Sequence, residues 1–361
     1  MTDGRGKLLL HVYPTFAVGG AQARFAAIAN RFGARWRHAI VAMDGNLGCR
    51  ERLDPSLDIT YPAVGIVKGD VIGNIRRFRH ALVTLDPATL VTSNWGSIEW
   101  ALANRLPITR HIHTEDGFGP EERTRQIPRR VWTRRIALRG RDVIVPSQTL
   151  RAMATGVWRL DASRVHYVPN GVALHRFDEA VPAVLPGEGP VVGAIAALRA
   201  EKNLARLLRA FALVRAEMPA RLVLVGDGGE RASLQALAQE LGIAGSVIFT
   251  GYILEPASLY RALDVFALSS DTEQMPLTVL EAMAARLPVV ATDVGDIRNM
   301  VADENAPFIT PLDAQALAGS ILTLLRDDAR RTSIGMANRA RAEHTFDQET
   351  MFQAWARFFD G

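Results

Sequence analysis

The sequence predicts an α/β protein of two doubly wound units, each a parallel sheet with helices on both faces. Three observations carry this. Short apolar runs alternate with runs of helical length, the order of repeated strand–helix units. The pattern halts at a turn- and Pro-rich passage, PNGVALHRF (169–177) then VPAVLPGEGP (181–190), and restarts at Val191. The chain has 361 residues, too many for one ordinary core and natural for two units of about 150–200 residues.

Taken in order, Lys7–Val12 reads as a strand. PTFAVGGAQ (14–22) is a glycine-bearing loop entering an Ala-rich helix over 21–31. Strands follow at His38–Ala42, Thr89–Thr92, Thr109–Ile112, Asp142–Val145 and Val165–Val168. Helices lie between them at 71–85, 97–105, 127–138 and from Thr149. Ligands of parallel sheets gather at the carboxyl ends of the strands, which places Gly19, Gly20, Asn94, His113 and Ser147 on one rim. The passage 173–190 reads as a linker.

The second half repeats the order. Strands are expected at Val191–Ile195, Leu222–Val225 and Val247–Phe249, with helices at Asn203–Glu217, Glu230–Leu241 and Ser258–Ala262. DVFAL (264–268) is a buried strand, Leu277–Ala285 a helix, and PVVATDVG (288–295) a further strand ending in a glycine turn. Helices then span 313–326, 328–342 and 347–359. The last carries Phe346, Met351, Phe352, Trp355, Phe358 and Phe359 as a core-facing stripe and is expected to dock on the first unit. The expected domains are 1–172 and 173–342, with 343–361 crossing back.

Composition narrows the class. An apolar fraction of 48% and a charged fraction of 22% are those of a globular protein. The one cysteine, Cys49, excludes an internal disulfide and fits a reducing compartment. No apolar run reaches the ~18 residues of a membrane span, and the opening MTDGRGKLLLHVYP is too short in apolar core for a secretory signal. A cytoplasmic protein is expected. Residues 1–172 hold 25 Lys and Arg against 14 Asp and Glu, a balance of +11, while the remainder holds 17 against 24, a balance of −7. A basic half suggests that it faces something anionic.

The chemistry concentrates in SSDTEQMPLTVLEAM (269–283), where Glu273 and Glu281 are separated by seven residues. Pro276 suits the first turn of a helix. Glu273 then lies in the strand-to-helix loop and Glu281 about one and a half turns into the helix. The amides from Gln274 through Met275 to Leu277 are orphan donors of a helix N-terminus, a seat for a phosphate or polar sugar. Carboxylates accepting hydroxyl hydrogens beside donating amides suit a polyhydroxylated ligand attached to a phosphate. Two readings stand: this site, or a helix cap followed by an acid on a solvated face. The apolar neighbours of Glu281, Thr-Val-Leu before it and Ala-Met-Ala-Ala after it, favour the first, since a free charge there is costly.

With these residues in view, the chain resembles the retaining glycosyltransferases of family 4, over nearly its whole length. The matching segments are GGAQ (19–22), VPNGV (168–172), LVLVGDGGER (222–231), VIFTGY (247–252) and the block 264–295 containing EQMPLTVLEAMA. The resemblance implies a GT-B fold: two facing Rossmann-like domains, with a C-terminal helix crossing back to the first. It implies a nucleotide-diphosphate sugar as co-substrate, no further cofactor and no metal. By position, Glu281 resembles the residue on the ribose hydroxyls. Glu273, with the stretch Gln274, Met275, Pro276 and Leu277, resembles the holder of donor sugar and phosphate. Lys202 resembles the lysine on the diphosphate, Gly19 and Gly20 the loop over the phosphates, and Gly228 and Tyr252 fall in the donor-binding segments. His113, in HTEDGFG (113–119), resembles the histidine near the transferred sugar, to polarise or position it; a structural histidine at a strand end is the other reading.

Lys202 has support of its own. The chain has 39 arginines and three lysines, Lys7, Lys68 and Lys202, and only Lys202 lies in the second half. A compact point charge is not interchangeable with a guanidinium. Two departures stand out. The usual Gly-Arg-Leu reads Ala196-Ala197-Leu198, so the common phosphate-binding arginine is missing and Arg199 is the candidate replacement. The usual Glu-Gly-Phe reads Glu273-Gln274-Met275.

The expected reaction passes a hexose from a nucleotide diphosphate to an acceptor hydroxyl of a cell-surface glycan or lipid-linked intermediate, with retention by front-face attack and domain closure around 173–190. A nucleotide-sugar epimerase and a non-catalytic sugar-nucleotide-binding protein are the alternatives. RTRQIPRRVWTRRIALRGR (123–141) carries eight arginines and no acid. With Asn94, it supplies the acceptor or membrane side: Arg129, Arg130, Trp132 and Arg134, extended by Arg76, Arg77 and Arg79. An anionic bilayer or a lipid pyrophosphate fits such a helix, and so does a merely solvated face. No nucleic-acid module is present.

Overall fold

The structure is a computed structural model describing residues 6–118, 122 and 125–361. Gly119, Arg123 and Thr124 of the segments read above lie outside the described residues. The chain forms two compact units, Met1–Pro169 with Phe352–Gly361, and Asn170–Met351.

The first unit holds strands β1 (Lys7–Tyr13), β2 (Trp36–Ala42), β3 (Ile59–Thr60), β4 (Thr89–Ser93), β5 (Arg110–Thr114), β6 (Asp142–Val145) and β7 (Val165–Tyr167). They pair in the order β3-β2-β1-β4-β5-β6-β7, all parallel. The two-residue β3 was not expected, because so short a run shows no periodicity. Helices α1 (Gly20–Phe32), α2 (Val71–Leu85), α3 (Ile98–Ala103), α4 (Pro128–Ala137) and α5 (Gln148–Gly156) make the crossovers. Local chemistry sets their ends: Asp70 caps α2 by accepting from the Gly73 amide at 2.9 Å, and Pro128 opens α4. Apolar residues on opposite faces of the sheet are covered separately. Leu10, Val12, Ala39 and Val41 pack with Phe78, Leu82 and Trp100, whereas Tyr13 and Ile40 pack with Phe16, Phe25 and Ala29.

The second unit holds β8 (Val191–Ile195), β9 (Arg221–Val225), β10 (Val247–Gly251), β11 (Val265–Leu268), β12 (Val289–Thr292) and β13 (Ile309–Thr310), ordered β10-β9-β8-β11-β12-β13 and parallel throughout. Its helices are α6 (His175–Asp178), α7 (Leu204–Glu217), α8 (Arg231–Glu240), α9 (Ala257–Tyr260), α10 (Leu277–Ala284), α11 (Ile297–Met300), α12 (Ala314–Leu325) and α13 (Asp328–Thr345). In both sheets three strands step outward, then the chain returns to the far side of the first. That reversal opens a crevice at the carboxyl ends of β1 and β4, and again at those of β8 and β11.

The passage 173–190 is not a free linker. Leu174, Ala180, Ala183 and Leu185 pack on the second unit's core. The Ala183 amide donates to the Ser258 carbonyl at 2.9 Å, and Asp178 pairs with Arg286 at 2.9 Å and Arg339 at 2.6 Å. Its Pro and Gly residues serve turns over a packed surface, and the division between units falls at Pro169–Asn170. At the chain's end, α14 (Gln348–Asp360) brings Phe359 edge-on to Trp36, ring centroids 5.3 Å apart. Trp36 Nε1 also donates to Asp360 at 3.1 Å.

His11, His38 and His111 of the first sheet are buried. His11 Nε2 lies 3.1 Å from His38 Nδ1, and His111 Nε2 lies 2.8 Å from the Thr92 hydroxyl. Burial, helped by His38, holds His11 well below the ordinary imidazole value. Burial holds His38 at about 4 against a smaller upward pull from Asp58. Burial, then His113 and Arg141, holds His111 well below the ordinary value. The folded chain therefore keeps these rings neutral, while the unfolded chain takes up protons below about pH 6.5. Stability present above that pH falls as pH drops toward the folded values, by up to about 1.4 kcal/mol per pH unit per histidine. Thermal melts between pH 8 and 5 should show a midpoint that falls below about pH 6.5, and more shallowly in His11→Leu/His38→Leu. A wild-type midpoint constant down to pH 5 contradicts this.

Candidate functional site

The second sheet's crevice is built from two loops that are bonded to each other. After β8 the chain runs through Ala196–Arg199 and a tight turn at Ala200–Lys202, then Asn203 caps α7 from a left-handed conformation, φ 42°. After β11 it runs through Ser269–Pro276 into α10. The Asp271 amide donates to the Glu201 carbonyl at 2.8 Å. Arg206 donates to Asp271 at 2.7 Å and to the Ser269 carbonyl at 2.8 Å. The Ser269 hydroxyl returns a bond to the Lys202 carbonyl at 3.1 Å.

Within this frame Lys202 Nζ donates to Glu273 Oε1 at 2.6 Å, and the Ser270 hydroxyl donates to the same oxygen at 2.7 Å. The lysine side chain is 21% exposed and the glutamate 10%, so the pair is held by protein yet open to a ligand. Charge-assisted bonds of this kind are the strong ones. The sequence did not single out Ser270, Asp271 or Arg206; the serine was visible in the same loop, but the arginine comes from α7 and gave no signal.

Glu273 is followed by the start of α10. Pro276 stands one place ahead of the expected first turn, as the N-cap residue with ψ 123°, and Leu277 is the first helical residue. The amides of that first turn have no intrahelical acceptor and carry the positive end of the helix dipole. The loop is gripped from behind. Asn170 Nδ2 donates to the Met275 carbonyl at 3.1 Å, and the Asp296 amide donates to the Gln274 carbonyl at 2.9 Å. Gly295, at φ +58°, must be glycine, since a Cβ there would lie 2.4 Å from the Glu273 carbonyl oxygen. Met275 itself is buried in the core, so the loop presents its main chain. Glu281 lies in the second turn of α10 and accepts a 2.7 Å bond from the hydroxyl of buried Tyr260.

The remaining donor-side candidates are spread along the same edge. Arg199 is 61% exposed and pairs with Glu201 at 3.0 Å. Gly228 follows β9, where a Cβ would lie 2.4 Å from the Leu198 carbonyl oxygen. The β8 and β9 loops are stitched there by Leu198 N to Asp227 O, 2.9 Å, and Glu230 N to Leu198 O, 3.0 Å. Tyr252 is exposed and follows β10, two strands from β8.

In the first unit, Gly19 is the N-cap residue of α1 with extended backbone, and Gly20 is exposed beside it. Asn94 follows β4 at the switch point in a sparsely populated conformation, φ 56° and ψ 177°. It is held by the Asp116 amide, which donates to Asn94 Oδ1 at 2.7 Å, and Asp116 in turn takes a bidentate bond from Arg24 at 2.6 and 3.0 Å.

Four expectations for this unit are corrected. His113 lies within β5 with no exposed surface; its Nδ1 is 2.8 Å from the Thr92 hydroxyl and its Nε2 is 3.5 Å from Glu115. A ring with no exposed surface does not reach a sugar, which favours the other reading given above, a structural histidine. Ser147 is likewise buried, capping α5 through the Leu150 amide at 3.1 Å. Arg134 is wholly buried between Glu115 at 3.1 Å and Glu122 at 3.3 Å, with its guanidinium 4.9–5.3 Å from the rings of Trp158, Trp95 and Phe118. Arg130 joins Glu122 at 3.0 Å. Arg134 is closed to a membrane or acceptor, and the charge of half-buried Arg130 is met by Glu122. The acids that neutralise them precede the basic window, so a charge count confined to that window misses them. Glu122 shows the outcome: burial opposes its ionisation, but Arg134 and Arg130 hold its carboxyl below the usual range.

The exposed face that remains on α4 carries Arg129, Trp132 at 61% and Ile136 at 51% exposure, with the Arg135 guanidinium 5.1 Å from the Trp132 ring. Of the extension, Arg77 pairs with Asp70 at 2.9 Å and Arg79 donates to the Ala103 and Leu106 carbonyls, which leaves Arg76 exposed. Among the described residues no helix is long and apolar enough to cross a membrane, and no group of three or more His, Cys, Asp or Glu side chains could hold a metal ion.

Known proteins resemble most of the chain. The family model described as Glycosyl transferases group 1 matches residues 176–341, and that described as Glycosyltransferase Family 4 matches 18–176. The N-acetyl-alpha-D-glucosaminyl L-malate synthase of Bacillus anthracis is 28% identical over 46% of this chain and 44% of its own length. The GDP-mannose-dependent alpha-mannosyltransferase of Mycolicibacterium smegmatis is 29% identical over 78% of this chain and 74% of that protein. Among solved structures, the Anabaena HepE protein in complex with UDP superposes with a TM-score of 0.81 at 20% identity, covering 98% of this chain and 99% of that one.

The burial of Arg134 has a measurable consequence. Arg134→Ala leaves two buried carboxylates short of their partner and should cost about 3–5 kcal/mol of stability. Trp132→Ala, two residues away on the exposed face, should fall within about 0.5 kcal/mol of wild type. Equilibrium urea unfolding of the two variants tests the pair, and equal effects would contradict the burial.

Proposed function

The chain belongs to the group 1 glycosyltransferases of family 4, with the GT-B fold, and from that premise we propose that it takes its sugar from a nucleotide diphosphate and transfers it with retention. The observation that carries this reading is the Lys202–Glu273 pair at the β8/β11 switch point, beside the first turn of α10. Breaking a sugar C1–phosphate bond gathers negative charge on the departing diphosphate, and fixed positive groups that meet it contribute most to rate. The ammonium of Lys202 and the N-terminal amides of α10 supply such groups, so no metal is required. Glu273 accepts from hydroxyls of the sugar and Glu281 from those of the ribose.

Retention proceeds by attack of the acceptor hydroxyl on the face the diphosphate leaves, with the departing phosphate oxygen taking the hydroxyl proton. This demands positioning more than an enzyme base, which accords with an enclosed His113. The donor nucleotide is UDP or GDP. The acceptor is a hydroxyl of a cell-surface glycan or lipid-linked intermediate, held by the first unit and reached while the protein rests on an anionic membrane. The exposed Arg129, Trp132 and Ile136 of α4, with the half-buried Arg135 beside Trp132, support that orientation.

Incubation with UDP- and GDP-sugars, with and without candidate acceptors, should release nucleotide only when an acceptor is present, with activity unchanged by EDTA. Release without acceptor would point to an epimerase instead. Lys202→Ala and Glu273→Gln should each lower kcat by about 10²–10³, and Arg199→Ala should raise the donor KM; an unchanged KM removes Arg199 from the site. Sedimentation with phosphatidylglycerol vesicles should exceed that with phosphatidylcholine and fall in Trp132→Ala/Ile136→Ser. No preference between the lipids ends the membrane reading.

A further inference from the structure

We infer that Tyr260 is a positioning residue for the nucleotide: it orients Glu281 so that the carboxylate meets the ribose hydroxyls. This rests on the reading of Glu281 given above. Tyr260 is the last residue of the short helix α9 and has no exposed surface. Its ring is held from two sides, 5.7 Å edge-on from Phe177 of α6 and 5.8 Å from Phe266 of β11. That packing aims the phenol at α10, where it lies 2.7 Å from Glu281 Oε2 and 3.2 Å from the Thr278 carbonyl. A phenol has one hydrogen to give, and the shorter contact is to the charged acceptor, the stronger kind of bond.

The hydroxyl is a permanent donor. Burial, then the charge of Glu281, raises its pKa well above the ordinary tyrosine value, so no working pH removes the hydrogen. Glutamate on a helix has free χ torsions and a choice of rotamers; a fixed donor on one oxygen selects the rotamer and removes that freedom before the ligand arrives. The sites are also tied along the chain. Next to Phe177, Asp178 pairs with Arg339 at 2.6 Å, and Arg339 donates to the Ala284 carbonyl at the end of α10 at 2.7 Å. The helix bearing Glu281 and the ring that orients it therefore share one support.

Preorganisation of this kind acts on ligand groups that Glu281 touches and on no others, and a merely structural tyrosine would lack that selectivity. Calorimetric titration of the full chain should compare UDP and GDP with their 2′,3′-dideoxy counterparts. Wild type should bind the ribose form of its nucleotide about tenfold more tightly than the dideoxy form. In Tyr260→Phe this ratio should shrink to about threefold or less with dideoxy affinity unchanged. In turnover the same variant should raise donor KM while leaving kcat within about twofold, the signature of uniform binding. In a Glu281→Gln background, Tyr260→Phe should add no further loss of ribose selectivity.

The outcomes separate the two claims. A wild type that discriminates and a Tyr260→Phe that discriminates equally well overturns the role of Tyr260 while leaving the donor site intact. Equal weakening toward both nucleotide forms also overturns it, since the residue would then support only the fold. A wild type indifferent to the ribose hydroxyls, or binding neither nucleotide, removes the reading of Glu281 itself and this inference with it.

Discussion

Where β8 and β11 lie side by side, their exit loops separate toward opposite faces of the sheet, and nothing in the strands themselves fills the gap between them. The bond from Lys202 to Glu273, at 2.6 Å, spans it. Each partner alone would be a partly desolvated charge at the mouth of a crevice, which is costly; together they offset one another while keeping a side open to a ligand. The rest of the loop architecture serves that contact. Arg206 and Asp271 fix the height of the two loops, Ser270 fixes the carboxylate, and Gly295 and Asn170 let the backbone of residues 273–275 lie close against its supports. The start of α10 then falls beside the pair because the loop is too short to place it elsewhere.

The first unit uses charge differently. Arg134, with Glu115, Glu122 and Arg130, is internal, enclosed by aromatic rings. Such a cluster is weak evidence for stability, since the desolvation of its members is large, but it fixes geometry. It anchors α4 to the segment after β5, the same segment whose Asp116 grips Arg24 and whose amide holds Asn94. Helix α1 and the loops after β4 and β5 are thereby bonded together at the carboxyl end of the sheet. The two arginines and two glutamates of the cluster cancel, so the positive balance of residues 1–172 lies elsewhere, and the outward basic character of α4 is narrower than its composition suggests.

Alternation of apolar and helical runs was enough for the sheet class, the two units and nearly every strand, because parallel strands buried on both faces are continuous apolar runs whatever surrounds them. Spacing was enough for the acidic loop and α10, since a Pro followed by apolar helix formers sets the N-terminus locally. The lone lysine of the second half could be singled out by count alone. These are properties that each segment carries within itself.

Partnership is not such a property. That Glu281 meets Tyr260, twenty-one residues earlier and on another helix, that Arg134 faces inward while Trp132 faces out, and that His113 is enclosed all follow from which helix lies over which strand. A guanidinium or an imidazole reads the same in a sequence whether solvated or buried; only the tertiary structure supplies the carboxylate, or the wall of rings, that decides it. Strands, helices and the acidic loop were legible in the residue order, because they depend on neighbours a few positions away. Which charged groups face solvent was not, because desolvation depends on neighbours that are distant in the chain and adjacent in space.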